Sequence, residues 1–275
     1  MELVLGTAQF GMDYGVTNCS GMCSLKVIEG ILDLAFSCGI TKLDTAVSYG
    51  KSEENLGLVG VERFKVDSKI PFLENYRDGN LERLCSGSLK RLGLASLDTL
   101  YLHDQRDIQN LEILSALESL KSTRQINKIG ASVYALDVPD MSLKSFDFVQ
   151  CQGNAFDSKY LGHLNQGFSV NLRSIFLQGL LLVHLDDLPS FLSPYKELFF
   201  AWEKYCERHG KSKLQMSLYN VMNYDLDGYV VGASSVDEFE QIVLARDSAN
   251  EIRDIPLFSY GYVNEYVIDP RRWNR

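Results

Sequence analysis

The chain reads as an α/β protein: a single (β/α)8 TIM barrel spanning residues 1–275, followed on its flank by a short aromatic C-terminal tail. Two observations predict this. Strand-like and helix-like hydrophobic patterns alternate about eight times along the whole length, as a closed parallel barrel requires. Polar residues also stand at the ends of successive short apolar runs: Asp44 and Tyr49 after Ile40–Leu43, Lys69 at the end of Phe64–Ile70, and His103 after Leu97–Leu102. Such runs read as buried strands, and side chains at the carboxyl ends of neighbouring parallel strands converge on one mouth. An open doubly wound sheet is the competing architecture. It calls for Gly-x-Gly-x-x-Gly after the first strand, and Gly6-Thr7-Ala8-Gln9-Phe10-Gly11 lacks the middle glycine.

In order, Leu3-Val4-Leu5 opens as a strand and Leu25–Phe36 has helical spacing. Ser52–Leu58 is a short helix, with Ser52 as its cap and Glu53-Glu54 at its positive end. Leu81–Leu92 is a helix with Leu81, Leu84, Ser88, Leu89 and Leu92 on one face, and Asp107–Leu120 is another. Ile129–Ala131, Phe146–Gln150, Ser169–Arg173 and Tyr229–Val231 supply the later strands. Val183–Pro194, with Pro189 inside it, reads as a loop over the barrel mouth. The final 25 or so residues, ending Ile268-Asp269-Pro270-Arg271-Arg272-Trp273, are irregular and aromatic. They either pack on the barrel side or wall a substrate pocket.

The composition, with 45% hydrophobic and 23% charged residues, is that of a soluble globule. A net charge of −9 with dispersed Lys and Arg argues against nucleic acid or anionic membranes as main partners. There is no apolar run near 18 residues and no amino-terminal signal pattern, so a cytoplasmic protein is expected. The six cysteines form no framework; Cys19 and Cys23 lack a matching pair downstream, and free thiols are expected rather than a metal site. Oligomeric state is not legible.

The four strand-end residues suggest a chemistry. A free tyrosine has a pKa of about 10, too high for ready proton exchange near neutrality. A neighbouring lysine cation favours the phenolate and pulls that value down. Asp44 can anchor Lys69 and keep it charged. Tyr49 then serves as a general acid toward a carbonyl oxygen as hydride reaches the carbon, while His103 orients the same oxygen. Singly, each residue reads more readily as a solvated or packing residue. The four in this order and spacing favour catalysis.

The run Asp44-Thr45-Ala46-x-x-Tyr49-Gly50-x-Ser52-Glu53 resembles the signature of the aldo-keto reductase superfamily, and Lys69 and His103 are similar to the rest of its tetrad. Leu5–Gly11, Lys128–Tyr134, Phe148–Asp157, Ser174–Leu181 and Val231–Ser235 resemble further family segments in order, so the likeness covers roughly residues 2 to 246. It implies a barrel oxidoreductase that reduces an aldehyde or ketone with a nicotinamide dinucleotide laid across the mouth. By the same resemblance, Gly6, Thr7 and Ala8 face the cofactor, Ser132 and Gln150 hold its carboxamide, and Arg173 takes the place of a stacking aromatic ring. Ser174, Phe176, Gln178 and Gly179 wrap the pyrophosphate. Gly232, Ser234 and Ser235, leading into a helix, offer N–H groups and hydroxyls to a phosphate.

The match departs at three points. Val133 stands where the family commonly has Asn. Arg173 can stack through its guanidinium, yet a cation there favours the reduced nicotinamide. Glu238, Gln241 and Ile242 replace the usual adenosine-end pattern, and no Lys or Arg lies between Gly232 and Ile242. The resemblance favours NADP(H), whereas the local acids lean toward NAD(H). The opening segment and Tyr14-Gly15 look like members acting on sugars, which suggests a sugar-derived carbonyl, and short loops suggest an open pocket. The rival reading is a cofactor-sensing binding subunit with slow turnover or none.

Overall fold

The structure is a computed structural model that describes residues 1–74, 80–134, 145–158 and 168–273. Eight parallel strands close into a barrel in sequence order: β1 (Glu2–Gly6), β2 (Lys42–Asp44), β3 (Lys65–Ile70), β4 (Leu97–Leu102), β5 (Ile126–Val133), β6 (Phe148–Gln152), β7 (Ser169–Arg173) and β8 (Gly228–Gly232). The closing pair, β1 and β8, runs in register from Glu2 opposite Gly228 to Gly6 opposite Gly232. Every predicted strand is present, with ends displaced by a few residues. Ile40 lies ahead of β2, and β6 begins at Phe148 rather than Phe146.

The helices ring the barrel: α1 (Leu25–Ser37), α2 (Ser52–Val59), α3 (Asn80–Leu92), α4 (Leu111–Ser122), α5 (Lys196–Arg208), α6 (Lys213–Met222), α7 (Val236–Asn250) and the short α8 (Glu265–Ile268). In α1, Ile28, Ile31, Leu32 and Ala35 recur at helical spacing and are buried against the strands, and the Ser24 side chain caps Val27 N–H. Two predicted boundaries are corrected. Ser52 does not cap α2: Lys51 holds that position, and the Ser52 hydroxyl is instead turned inward, donating to Thr7 O at 2.8 Å. The helix expected from Asp107 starts at Leu111, because Asn110 accepts from Glu112 and Ile113 N–H while Asp107 ends a separate 3-10 turn.

The barrel interior is polar. Lys42 and Asp67 form a buried ion pair at 3.1 Å, and Asn171 donates to Tyr101 Oη at 3.4 Å. Tyr101 lies flat against Gly130, where a Cβ would come within 2.3 Å of the ring. Apolar packing is concentrated outside the strands, between barrel and helices. Val183–Pro194 is not a plain loop; it holds the 3-10 turn Leu185–Asp187 and enters a second at Ser190–Tyr195. The tail packs on the barrel, with Val267 and Trp273 buried. No helix among the described residues is long and apolar enough to cross a membrane.

Candidate active site

The carboxyl ends of the strands open into a cavity of about 540 Å³. Gly6, Asp44, Gln150, Arg173 and Gly232 line it from five strands, and Tyr49 and His103 from the loops after β2 and β4. The cavity continues as a cleft past Thr7, Ala8, Ser174, Phe176, Gln178 and Gly179 to Ser234 and Glu238. These are sequence-expected residues. Lys69 stands behind the wall, fully buried. Ser132 is also buried, paired in register with Gln150. Ser235 caps α7, and Gln241 is exposed on its outer face; neither lines the cavity.

The four chemical residues meet. Lys69 Nζ donates to Asp44 Oδ2 at 2.5 Å, to Thr45 O at 3.0 Å and to Tyr49 Oη at 3.4 Å. A cluster of hydroxyls holds this geometry. Ser52 Oγ lies 2.8 Å from Thr7 Oγ1 and 3.0 Å from Thr45 Oγ1, tying the ends of β1 and β2 to the start of α2. Glu53 is buried beside it, accepting from Ser68 Oγ at 2.6 Å and pairing with Arg91. The residue just before Lys69 is thereby fastened to α2.

Burial works against the charge on Lys69, but Asp44 and Tyr49 outweigh it and hold its pKa above the ordinary value. For Tyr49 the balance corrects the sequence-based expectation. Burial is the largest influence and raises the phenol above its usual pKa; Lys69 pulls it down only in part, with Arg173 helping and Asp44 opposing. The phenol therefore carries its proton. His103 is pushed down to about 4, by burial first and then by Lys69 and Arg173, so its imidazole is neutral. Ser48 Oγ lies 3.1 Å from His103 Nδ1 and fixes the ring from behind. Sequence reasoning missed Ser48, which sits at an interior position of the motif with nothing to single it out.

Gln150 Nε2 donates to Asp44 Oδ1 at 2.7 Å. Its Oε1 is buried without a hydrogen-bond partner among the described residues, on a side chain that lines the cavity. Beyond it, Ser174, Leu177, Gln178 and Gly179 all have positive φ, which bends the loop around the cleft. Glu238 Oε2 accepts the Ser234 N–H at 2.7 Å.

A model of the Aldo/keto reductase family matches residues 2–255. The chain belongs to the aldo/keto reductase family. Carbonyl reduction with a nicotinamide cofactor is general to that family. The chain is similar to D-arabinose 1-dehydrogenase of Saccharomyces cerevisiae, 28% identical over 135 residues that make up 40% of this chain and 37% of the yeast enzyme. Two solved structures of Pseudomonas aeruginosa proteins described as aldo-keto reductases share the fold. One has a TM-score of 0.69 at 21% identity and the other 0.67 at 19%, each over 90% of both chains.

Proposed function

We propose that this aldo/keto reductase reduces an aldehyde or ketone, of sugar-derived character, to an alcohol, with Tyr49 as the proton donor. The observation that carries the reading is the chain Asp44–Lys69–Tyr49, with the ammonium 2.5 Å from the carboxylate and 3.4 Å from the phenol at the cavity wall. Tyr49 delivers its proton to the carbonyl oxygen, and the phenolate left behind is held by Lys69. Neutral His103 donates a hydrogen bond to that oxygen from Nε2, its Nδ1 being engaged by Ser48. Asp44 keeps Lys69 charged through the proton transfer.

The residues present fit a nicotinamide dinucleotide. The unpartnered buried Oε1 of Gln150 suits an amide N–H. The positive-φ loop Ser174–Gly179 and the turn from Ser234 to Glu238 at the start of α7 border the same cleft. When bound, the nicotinamide supplies the hydride that no side chain can. At the adenosine end, Glu238 occupies the Ser234 N–H, which supports NAD(H) over NADP(H). The likeness to a sugar dehydrogenase supports a polyhydroxylated substrate.

The test is absorbance of the reduced cofactor during turnover with a panel of sugar-derived and simple carbonyls, for the wild type and Tyr49→Phe. The expected result is a loss of about 10²–10⁴-fold in the variant. Activity within threefold or so of wild type removes Tyr49 from the mechanism.

A further inference from the structure

The site has one cation whose purpose the proton chemistry does not exhaust. Arg173 closes β7 and lines the cavity. Among the described residues it has no carboxylate partner, whereas Arg106 is paired with Asp104 and Arg271 with Asp269. Its side chain is nonetheless fixed. Nη2 donates to Val133 O at 3.2 Å, Nη1 to Ser174 Oγ at 3.4 Å, and the guanidinium lies 4.1 Å over the Tyr134 ring. Arg271 of the tail covers the same ring at 3.6 Å, so Tyr134 is gripped between two guanidinium groups. These contacts engage only part of a fork of five N–H donors. The charge reaches the reacting groups, since it lowers the pKa of both Tyr49 and His103.

A guanidinium held rigidly on the wall of a reaction pocket, with spare donors, selects an anion. Fixing it beforehand removes the ordering cost that a flexible cation would meet on binding. The other charged cavity-lining side chains are no substitute: Asp44 is committed to Lys69, and Glu238 lies at the far end of the cleft on Ser234. We propose that Arg173 is a specificity-determining residue and that the carbonyl substrate carries an anionic group, a carboxylate or a phosphate, that pairs with it. This deepens the carbonyl-reductase reading and rests on it. The same pairing makes the tail part of the recognition device, because Arg271 and Tyr134 keep the Arg173 fork in place.

The experiment measures binding of unreactive matched pairs to the protein with and without saturating reduced cofactor, by calorimetry. Oxamate against its neutral isostere oxamide reports a carboxylate; glycerol 3-phosphate against glycerol reports a phosphate. One anion is expected to bind about tenfold to a hundredfold tighter than its neutral partner, as a charge-assisted hydrogen bond predicts. Arg173→Gln should abolish that preference and Arg173→Lys should keep part of it. Equal binding of both pairs to the wild type overturns the proposal, whether or not the variants fold. So does a preference that survives in Arg173→Gln while cofactor affinity falls, which assigns the cation to the cofactor phosphates instead. An Arg173-dependent preference without turnover of any carbonyl leaves Arg173 as an anion site but removes the carbonyl-reductase reading and, with it, the assignment of that anion to a carbonyl substrate.

Discussion

Asp44 and Gln150 are bonded through the carboxylate oxygen that Lys69 does not use: Lys69 takes Oδ2 and Gln150 Nε2 takes Oδ1. One buried carboxylate therefore holds both the Lys69 ammonium and the Gln150 amide in place. With Nε2 committed to Asp44, Oε1 is left as the buried acceptor on a cavity-lining side chain.

Asp44→Asn tests that double role. An asparagine has one acceptor to offer, and Lys69 needs it, so its NH2 group faces Gln150. Gln150 then flips, directing Oε1 to the new donor and removing the acceptor from the cavity. The expected outcome is a fall in kcat together with weaker binding of the reduced cofactor, by about 5- to 30-fold for one lost hydrogen bond. Titration of Trp202 and Trp273 fluorescence with the reduced cofactor reads the second effect. Unchanged affinity in Asp44→Asn would mean that Gln150 does not serve the cofactor.

Lys69→Met should move the pH–rate profile as well as its height. Burial already raises the Tyr49 pKa, and Lys69 is the largest opposing influence. Removing it raises the phenol further, so the alkaline limb of alcohol oxidation, which needs the phenolate, shifts to higher pH. In the reductive direction the phenol stays protonated but gives up its proton less readily. The same substitution leaves the Asp44 carboxylate buried without a countercharge, with only the Gln150 amide among the described residues to hold it, which should destabilise the fold by about 3–5 kcal/mol. Profiles in both directions that keep their position would show that Lys69 does not tune Tyr49.

His103 should remain neutral through the range where an ordinary histidine titrates. Its folded pKa is depressed to about 4 from 6.5. Below pH 6.5 the unfolded chain therefore binds a proton that the folded protein refuses, and stability falls as pH drops from about 6.5 to about 4. His103→Gln should remove this part of the acid sensitivity. Following the imidazole resonances by NMR is the direct check, and titration of His103 between pH 6 and 7 or so would contradict the burial argument.

How much of this could be read from the sequence depended on where each residue stands. Asp44, Tyr49, Lys69 and His103 were legible because each follows or ends an apolar run, where topology alone brings Asp44, Tyr49 and His103 to the mouth and Lys69 directly behind it. Asp67 was not, because inside the run Phe64–Ile70 it looks like an interruption, whereas the closed barrel buries it against Lys42 and lifts its pKa to about 7. Ser52 was misread as a cap because local pattern cannot foresee that Thr7 O, 45 positions away in the chain, competes for its hydroxyl. The two readings of the tail merge in one contact: it packs on the barrel and also reaches the cavity-lining Tyr134 through Arg271. Arg173 was visible as a substitution for an aromatic ring, but its lack of a carboxylate partner among the described residues is a property of the folded mouth.

Glu238→Arg should shift cofactor preference toward NADPH. The Glu238 carboxylate lines the cleft and accepts the Ser234 N–H at 2.7 Å, while Ser235 Oγ accepts the Glu238 N–H at 3.1 Å. On the proposed cofactor placement it sets two obstacles before a ribose 2′-phosphate: like charge, and occupation of a backbone donor at the α7 N-terminus, where an anion would otherwise bind. Arginine reverses the charge and frees the N–H, which should be worth roughly 1–3 kcal/mol, or about 5- to 150-fold in relative affinity. Glu238→Gln separates the two effects, since glutamine is neutral yet can still accept from Ser234. A gain intermediate between wild type and arginine assigns part of the discrimination to charge, and a gain equal to that of arginine assigns all of it. Dissociation constants for both reduced cofactors, measured for the three proteins at one ionic strength, decide the matter. A ratio that does not move in either variant would place the adenosine end elsewhere and remove the argument for NAD(H).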